Sequence, residues 1–296
     1  MKKTLAPVAG RHKKFTPLPY FLLLPAIALF TTFTYWPFAR TIFMSFTLTD
    51  KKGNFVKWVG FQNFIRVFTS RNFKQVFGNT WSFAAMICIG TLVLAMILAL
   101  LCAAKGKGSR IYETLYSMPM AVASAPAATI FIYIFRKEGG VLNELLGTSV
   151  AWINDPKTAL ASVAFVTIWL SIGSSFIFLL VGFRNVPEEL LESAKLDGAS
   201  AIVRAFKIYI PIASPQIFFV VFLNITGSFR AFGQIKLMTG GGPNNSTNTL
   251  IYAMYQNAFL NGRYETAYVQ ALILFIVIFI VTRIQNALED RMVFYK

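Results

Sequence analysis

Residues 158–231 read TALASVAFVTIWLSIGSSFIFLLV, then GFRNVPEELLESAKLDGASAIVRAFK, then IYIPIASPQIFFVVFLNITGSFRA. A hydrocarbon core about 30 Å thick is crossed by roughly 20 mostly apolar helical residues. The runs 158–181 and 208–231 meet that length, and the segment between them concentrates the charge. Four more stretches pass the same test, near residues 20–39, 81–104, 111–135 and 266–285. The expected fold is an all-α polytopic membrane protein with six transmembrane helices. Composition agrees, because 56% of the 296 residues are hydrophobic and 14% charged, where soluble domains carry about a quarter charged residues.

The net charge of +16 is divided into short clusters between apolar runs. Nucleic-acid binding would need one continuous basic face, whereas basic flanks hold helices against anionic lipid. With six spans both termini share a side. The N-terminal tail, the turn with Lys105, Lys107 and Arg110, the loop from Arg184 to Lys207, and the tail with Arg283, Arg291 and Lys296 all fall on that side, which the positive-inside rule makes cytoplasmic. The long loop after the first span is also basic, with Lys51, Lys52, Lys57, Arg66, Arg71 and Lys74, but the rule is weakest for long loops. The expected organisation is a cytoplasmic tail 1–19, a six-helix domain 20–285 with a cytoplasmic loop 186–211 and an external loop 232–265, and a cytoplasmic tail 286–296. The expected location is a bacterial cytoplasmic membrane.

Lys2, Lys3, Arg11, Lys13 and Lys14 ahead of an apolar run also fit a secretory leader cut after Ala26-Ile27-Ala28. Such a cut leaves too short an apolar stretch, interrupted by Pro25, and an uncleaved first span fits better. Cys88 and Cys102 would lie about 21 Å apart along one helix, beyond disulfide reach. His12 stands alone, so neither a metal nor a cofactor nor a catalytic residue is expected. Prolines 25, 37, 119, 126, 211 and 215 kink their spans, which suits packed helices around a gated pathway.

The segment Val186-Pro187-Glu188-Glu189-Leu190-Leu191-Glu192-Ser193-Ala194-Lys195-Leu196-Asp197-Gly198-Ala199 reads as a short surface helix. Pro187 suits the first helical position, Glu188 and Glu189 face the positive end of the dipole, and Gly198 can supply a left-handed stop. A second helix, 200–206, follows. Leu190, Leu191 and Ala194 share one side, giving either a lid on the chain's own helix ends or a face for a partner.

Glu192-Ser193-Ala194, Gly198, Ile208, Ile210 and Pro211 resemble the EAA loop of binding-protein-dependent ABC importer permeases, with Ser193 for the usual Ala and Ile210 for Leu. In that family the loop is a coupling helix seated in a cleft of a cytoplasmic ATPase. The resemblance implies that Glu192 makes the polar contact, Ala194 permits close approach and Gly198 makes the turn, with Ser193 and Asp197 also in the coupling segment. The chain has no Gly-x-x-x-x-Gly-Lys-Ser/Thr phosphate loop of its own, so an ABC ATPase dimer is an implied partner. Val59-Gly60-Phe61-Gln62-Asn63-Phe64, Asn79-Thr80, Met238-Thr239-Gly240-Gly241-Gly242-Pro243 with Thr247 and Thr249, and Glu289 to Tyr295 resemble the carbohydrate branch, of maltose and glycerol-phosphate type. That branch implies a type I importer core, a second, non-identical permease, and an extracytoplasmic solute-binding protein. Gly241, Gly242, Pro243 and Asn244 are either a contact for that protein or a flexible turn.

Polar side chains within spans usually face the bundle interior. The fourth span offers Thr167, Ser171, Ser174 and Ser175 beside Trp169, and the fifth offers Asn224, Thr226, Ser228 and Arg230. Hydroxyls and an amide with an aromatic plane are what a sugar needs, though interhelical hydrogen bonds alone use the same groups. Positions matching Ser171, Ser174, Asn224, Gly227, Ser228 and Ala231 line the cavity in maltose-type permeases, so the resemblance implies a solute pathway there. Arg230 either anchors its helix at the interface or pairs with an anionic solute. An ion-coupled transporter would keep a carboxylate inside a span, and Glu113, near a span boundary, is the nearest approach to one.

Overall fold

The computed structural model describes residues 18–104 and 109–292. Most of the expected N-terminal tail with His12, the basic pair Lys105 and Lys107, and residues 293–296 of the aromatic end lie outside the described residues. Helix α1 (Leu18–Phe30) passes through a π-helical turn into α2 (Trp36–Ser45). An antiparallel hairpin of β1 (Thr47–Thr49) and β2 (Phe55–Trp58) pairs Thr47 with Trp58 and leads to α3 (Gln62–Thr69). The long α4 (Arg71–Ala103) precedes α5 (Ser109–Ser117), a 3-10 turn, α6 (Ser124–Ile134), α7 (Val141–Leu146) and α8 (Ala159–Arg184). Then come α9 (Glu188–Leu196), α10 (Ala201–Arg204), a π turn, α11 (Ile210–Ile212) and α12 (Ser214–Phe229). The chain closes with α13 (Gly233–Met238), α14 (Leu250–Tyr255), a π turn and α15 (Tyr264–Met292).

Four helices are straight, long and apolar enough to cross a membrane: Phe21–Ser45, Arg71–Ala103, Ala159–Arg184 and Tyr264–Glu289. The stretches 111–135 and 208–231 are not straight helices but pairs bent by 99° and 77°. Their breaks fall beside the prolines. Val122 and Ala123 are extended between Pro119 and Pro126, and Ala213 breaks the path between Pro211 and Pro215. Each ring removes a backbone donor and crowds the preceding turn, so the helix stops and restarts. The second expected span begins ten residues early because α4 continues down to Arg71, which at 1.5 Å per residue makes it about 50 Å long, well beyond a hydrocarbon core.

Helix α8 is the central post, packed on by α4, α12, α5, α6 and α13. Its closest seam is with α4. Ala95, Ala99 and Ala103 recur every four residues on one α4 stripe, and Phe176, Leu179, Leu180 and Phe183 of α8 pack against them. Small residues at that spacing let two membrane helices approach closely and fill the seam with large side chains from one partner. Close approach recurs at Gly173, where an added Cβ would stand 2.7 Å from the Ser117 carbonyl oxygen. A second layer places α15 against α2, α3, α12 and α14, while the side chains of residues 21–30 of α1 stay exposed.

The loops at the hairpin end are tied down by carboxamides. Asn63 Nδ2 donates to the Ser45 and Thr47 carbonyls at 3.0 and 2.8 Å. Asn143 Nδ2 donates to the carbonyls of Arg136, Lys137 and Val150, and its Oδ1 accepts from Trp152 Nε1 at 2.9 Å. Thr49 donates to Glu265 at 2.8 Å, joining the hairpin to α15. Phe43, Phe46, Phe55, Trp58 and Phe61 form an outward aromatic cluster beside the basic residues of this loop, the composition of a membrane interface belt.

Replacing Ala99→Leu inserts a branched side chain into the seam and is expected to cost about 1–3 kcal/mol. The check is the thermal midpoint of the detergent-purified chain, with Ala104→Leu, outside the seam, staying near wild type.

Candidate functional site

The α9 segment is built by its own local chemistry. Pro187 is extended (φ −57°, ψ 134°) and precedes the helix, so it caps α9 rather than occupying the first helical position. Proline fits φ at either place, and here ψ has not yet turned helical. Glu188 and Glu189 do lie in the first turn. Gly198 takes φ +75°, and the Gly198 and Ala199 amides donate to the carbonyls of Lys195 and Ala194. This is the left-handed stop that glycine adopts at low cost. Ser200 Oγ then caps α10 by accepting from the Val203 amide, and Arg204 Nη1 returns to the Ala199 carbonyl at 2.6 Å.

No residue from Pro187 to Ile212 is buried, and Leu196 is 90% exposed. A cleft of about 1280 Å³ lies between α9–α10 and α4, lined by Ile97, Leu101, Leu191, Ile202 and Phe206. The expected one-sided stripe is therefore divided. Leu191 turns to the cleft, while Leu190 lies in the open. A lid pressed on the chain's own helices would bury these positions, and they are not buried. The root of the segment is fixed instead: Arg184 Nη2 donates to Glu113 Oε1 at 2.6 Å and to the Cys102 carbonyl at 3.1 Å. That contact joins the ends of α8, α5 and α4.

A second site lies within the bundle. Ser171, Ser174, Asn224, Gly227, Ser228, Arg230 and Ala231 all line one cavity of about 390 Å³. Ser124, Thr167, Ser175 and Gln234 complete its polar wall. Trp169 is not part of it. Its ring sits 5.3 Å from that of Phe131 on α6. Thr167, Ser171, Ser174 and Ser175 are three or four residues apart and share a helix face, whereas Trp169 is two residues from Thr167 and from Ser171 and points away. Ser124 and Gln234 escaped the sequence reading because they lie just past a helix break and in the short helix α13 that follows α12. The breaker Pro119 was the available signal for Ser124.

One interhelical bond crosses this cavity, from Asn224 Nδ2 to Ser175 Oγ at 3.1 Å. Ser171 donates to Thr167 O and Ser228 to Ile225 O within their own helices. Each hydroxyl oxygen thus keeps acceptor capacity for a neighbour. Gly227 meets nothing within 4 Å of an added Cβ, so the space beside it is open. Arg230 ends α12, its Nε donating to the Thr226 carbonyl at 3.2 Å. Among the described residues no carboxylate pairs with it.

The Gly-rich stretch is not a flexible turn. Asn79 Nδ2 donates to the Asn245 and Asn248 carbonyls, Gln75 Nε2 to the Asn244 carbonyl, and Thr247 Oγ1 to the Gly242 carbonyl. Gly241, buried with φ +83°, has the Tyr252 ring 2.9 Å from where a Cβ would stand. It serves packing, and among Gly241, Gly242, Pro243 and Asn244 only Asn244 is fully open.

Residues 91–294 match the model of the family described as the binding-protein-dependent transport system inner membrane component. The chain belongs to that family. It is a multi-pass permease of the inner membrane. The sn-glycerol-3-phosphate transport system permease protein UgpA of Yersinia enterocolitica is 32% identical to this permease, covering 94% of this chain and 96% of that protein. The same-named protein of Salmonella typhimurium is 30% identical over the same shares. A bacterial ABC transporter involved in import of the acidic polysaccharide alginate shares the fold, with a TM-score of 0.82 at 22% identity over 93% of this permease and 96% of that chain. The alginate transporter in complex with an alginate pentasaccharide-bound periplasmic protein gives a TM-score of 0.80 at 22% identity, covering 93% and 94%.

Gly227→Leu places four carbons in the open space of the cavity. Transport is expected to fall about tenfold or more at unchanged membrane abundance, the size of loss that about 1.4 kcal/mol produces. Trp169→Phe, away from the cavity, should retain uptake.

Proposed function

We propose that this permease forms half of a type I import pathway for an anionic sugar or polyol derivative, delivered by an extracytoplasmic binding protein and driven by an ABC ATPase dimer. The observation that carries the anionic reading is Arg230, a guanidinium on the wall of a hydroxyl- and amide-lined cavity whose lining contains no carboxylate. A cation there attracts an anion, and the serines, Asn224 and Gln234 match its hydroxyls. The relatives support the class, since one set is named for glycerol 3-phosphate and the solved neighbour for an acidic polysaccharide.

In this reading the four straight helices and the two bent pairs are six crossings, with both termini cytoplasmic. The loop 186–211 then lies in the cytoplasm, and the region 232–265, with Asn244 foremost, faces the binding protein. Glu192, Ser193, Ala194, Asp197 and Gly198 meet the ATPase, supported by the absence of any buried residue in α9 and by its match to the family loop. Six crossings and one docking loop are half of a two-fold pathway, so a second, non-identical permease completes it within the bilayer. The chain itself catalyses nothing and binds no nucleic acid or metal. Glu113 is held by Arg184, and Glu265, in the first turn of α15, accepts from Thr49, so neither stands as a free acid for ion coupling.

Glu192→Arg and Gly198→Leu are expected to separate ATP hydrolysis from uptake in the reconstituted transporter without reducing membrane insertion. Normal coupled hydrolysis in both variants overturns the coupling assignment. For the solute, Arg230→Gln should abolish competition by anionic sugars in uptake assays while leaving that by neutral sugars, and equal loss of both removes the anionic reading.

A further inference from the structure

A second polar cleft lies at the hairpin end, between the start of α4, the π turn after α14 and the start of α15. It measures about 370 Å³ and shares no residue with the Arg230 cavity. Its wall is dominated by carboxamides: Asn72, Asn248, Gln256, Asn257, Asn261 and Gln270. Two guanidiniums, Arg66 and Arg263, complete it, and no carboxylate belongs to the lining. Arg66 reaches Glu265 only at 3.9 Å, and Arg263 has no acid partner among the described residues.

The amides hold one another in place. Asn248 Nδ2 donates to Gln256 Oε1 at 2.8 Å, and Asn257 Nδ2 to Gln270 Oε1 at 3.0 Å. Both pairs use the glutamine oxygen, so the glutamine NH₂ groups remain as donors. Asn248 is 5% exposed, and its Oδ1 is enclosed without any hydrogen-bond partner. A membrane protein that needed these amides only for packing would have no use for a hollow of small-ligand size between them.

We propose that this cleft is a second solute site, for an anionic polyhydroxylated molecule of about monosaccharide size. Its hydroxyls accept from the glutamine amides of Gln256 and Gln270. The acidic group sits between Arg66 and Arg263, whose charge a neutral sugar would leave uncompensated. The site stands on its own residues and does not depend on the reading of Arg230.

The test uses the full transporter in membranes with Cys88→Ala, Cys102→Ala and a reporter, Asn261→Cys, at the exposed rim. Its rate of modification by a membrane-impermeant methanethiosulfonate is measured with glycerol 3-phosphate, glucuronate, glycerol or glucose. At a probe concentration about ten times Kd, the two anions should slow labelling about tenfold and the neutral pair should not. Arg263→Gln should raise the protecting concentration about tenfold, the loss of one charge-assisted contact, while Arg230→Gln should leave it unchanged. Absence of protection, equal protection by glucose, or indifference to Arg263→Gln overturns the proposal. So does a reporter that labels in this subunit alone but not in the assembled transporter, because the cleft is then covered by a neighbour.

Discussion

Inside a bilayer there is no gain from hiding apolar surface, so two helices stay together only if their surfaces fit. The fit on which this permease depends is the α4–α8 seam, where Ala95, Ala99 and Ala103 make a shallow groove for Phe176, Leu179, Leu180 and Phe183. The Arg230 cavity and the root of α9 both hang on α8. Its N-terminal half packs the hydrophobic cluster of Phe83, Ile87, Val163 and Val166, its middle gives Thr167, Ser171, Ser174 and Ser175 to the cavity, and its end supplies Arg184 at the root of α9. Loosening the seam would therefore disturb the cavity and the loop together.

The breaks in the helices are as necessary as the seam. A straight α12 would carry Arg230 elsewhere, and a straight path through α5 and α6 would leave no opening at Ser124. Bends of 99° and 77° at the proline pairs let one helix break and one helix end converge on the middle of α8. Backbone released by such bends is tolerated at membrane depth where it lines a cavity or is buried in protein. Here Ser124 and the end of α12 both lie on the cavity wall.

This division explains what the sequence made legible. The helical character of the apolar stretches, the α9 helix with its Gly198 stop, and the polar face of α8 all follow from local rules of length, capping and 3.6-residue periodicity, and they stand in the structure. Trp169 was grouped with the serines by nearness along the chain, and periodicity places it on the far side, against Phe131. Proline positions announced kinks in three spans, and bends above 40° appear at the pairs 119/126 and 211/215 but not within Phe21–Ser45, because the angle is set by what packs on either side of the break. Ser124, Gln234 and the carboxamide cleft could not be read, since their members come from distant segments that only tertiary packing brings together. The anchoring of the Gly-rich stretch by Asn79 belongs to the same class: residues 166 and 169 positions apart meet.

On the proposed reading, energy and solute act at opposite ends of one continuous path. From α9 the chain runs through α10, a π turn and α11 to the break at Ala213, and from there into α12, whose far end carries Asn224, Gly227, Ser228 and Arg230. The segment before the break is open to solvent, whereas Ala213 itself is fully buried among Ala99, Phe183 and Val220 in the α4–α8 cluster. On the proposed reading, a force applied to α9 reaches the cavity through a buried pivot, with the Arg184–Glu113 contact fixing the other end of the loop. Closely packed interiors switch between discrete arrangements rather than deforming smoothly. A rigid α9 pushed by a partner would then move α12 as a unit about Ala213, displacing Arg230 relative to the serines of α8. The hydrogen-bonded pair Asn224–Ser175 and the edge-to-face rings of Phe178 and Phe219, both linking those two helices, are contacts that such a movement must break or carry with it.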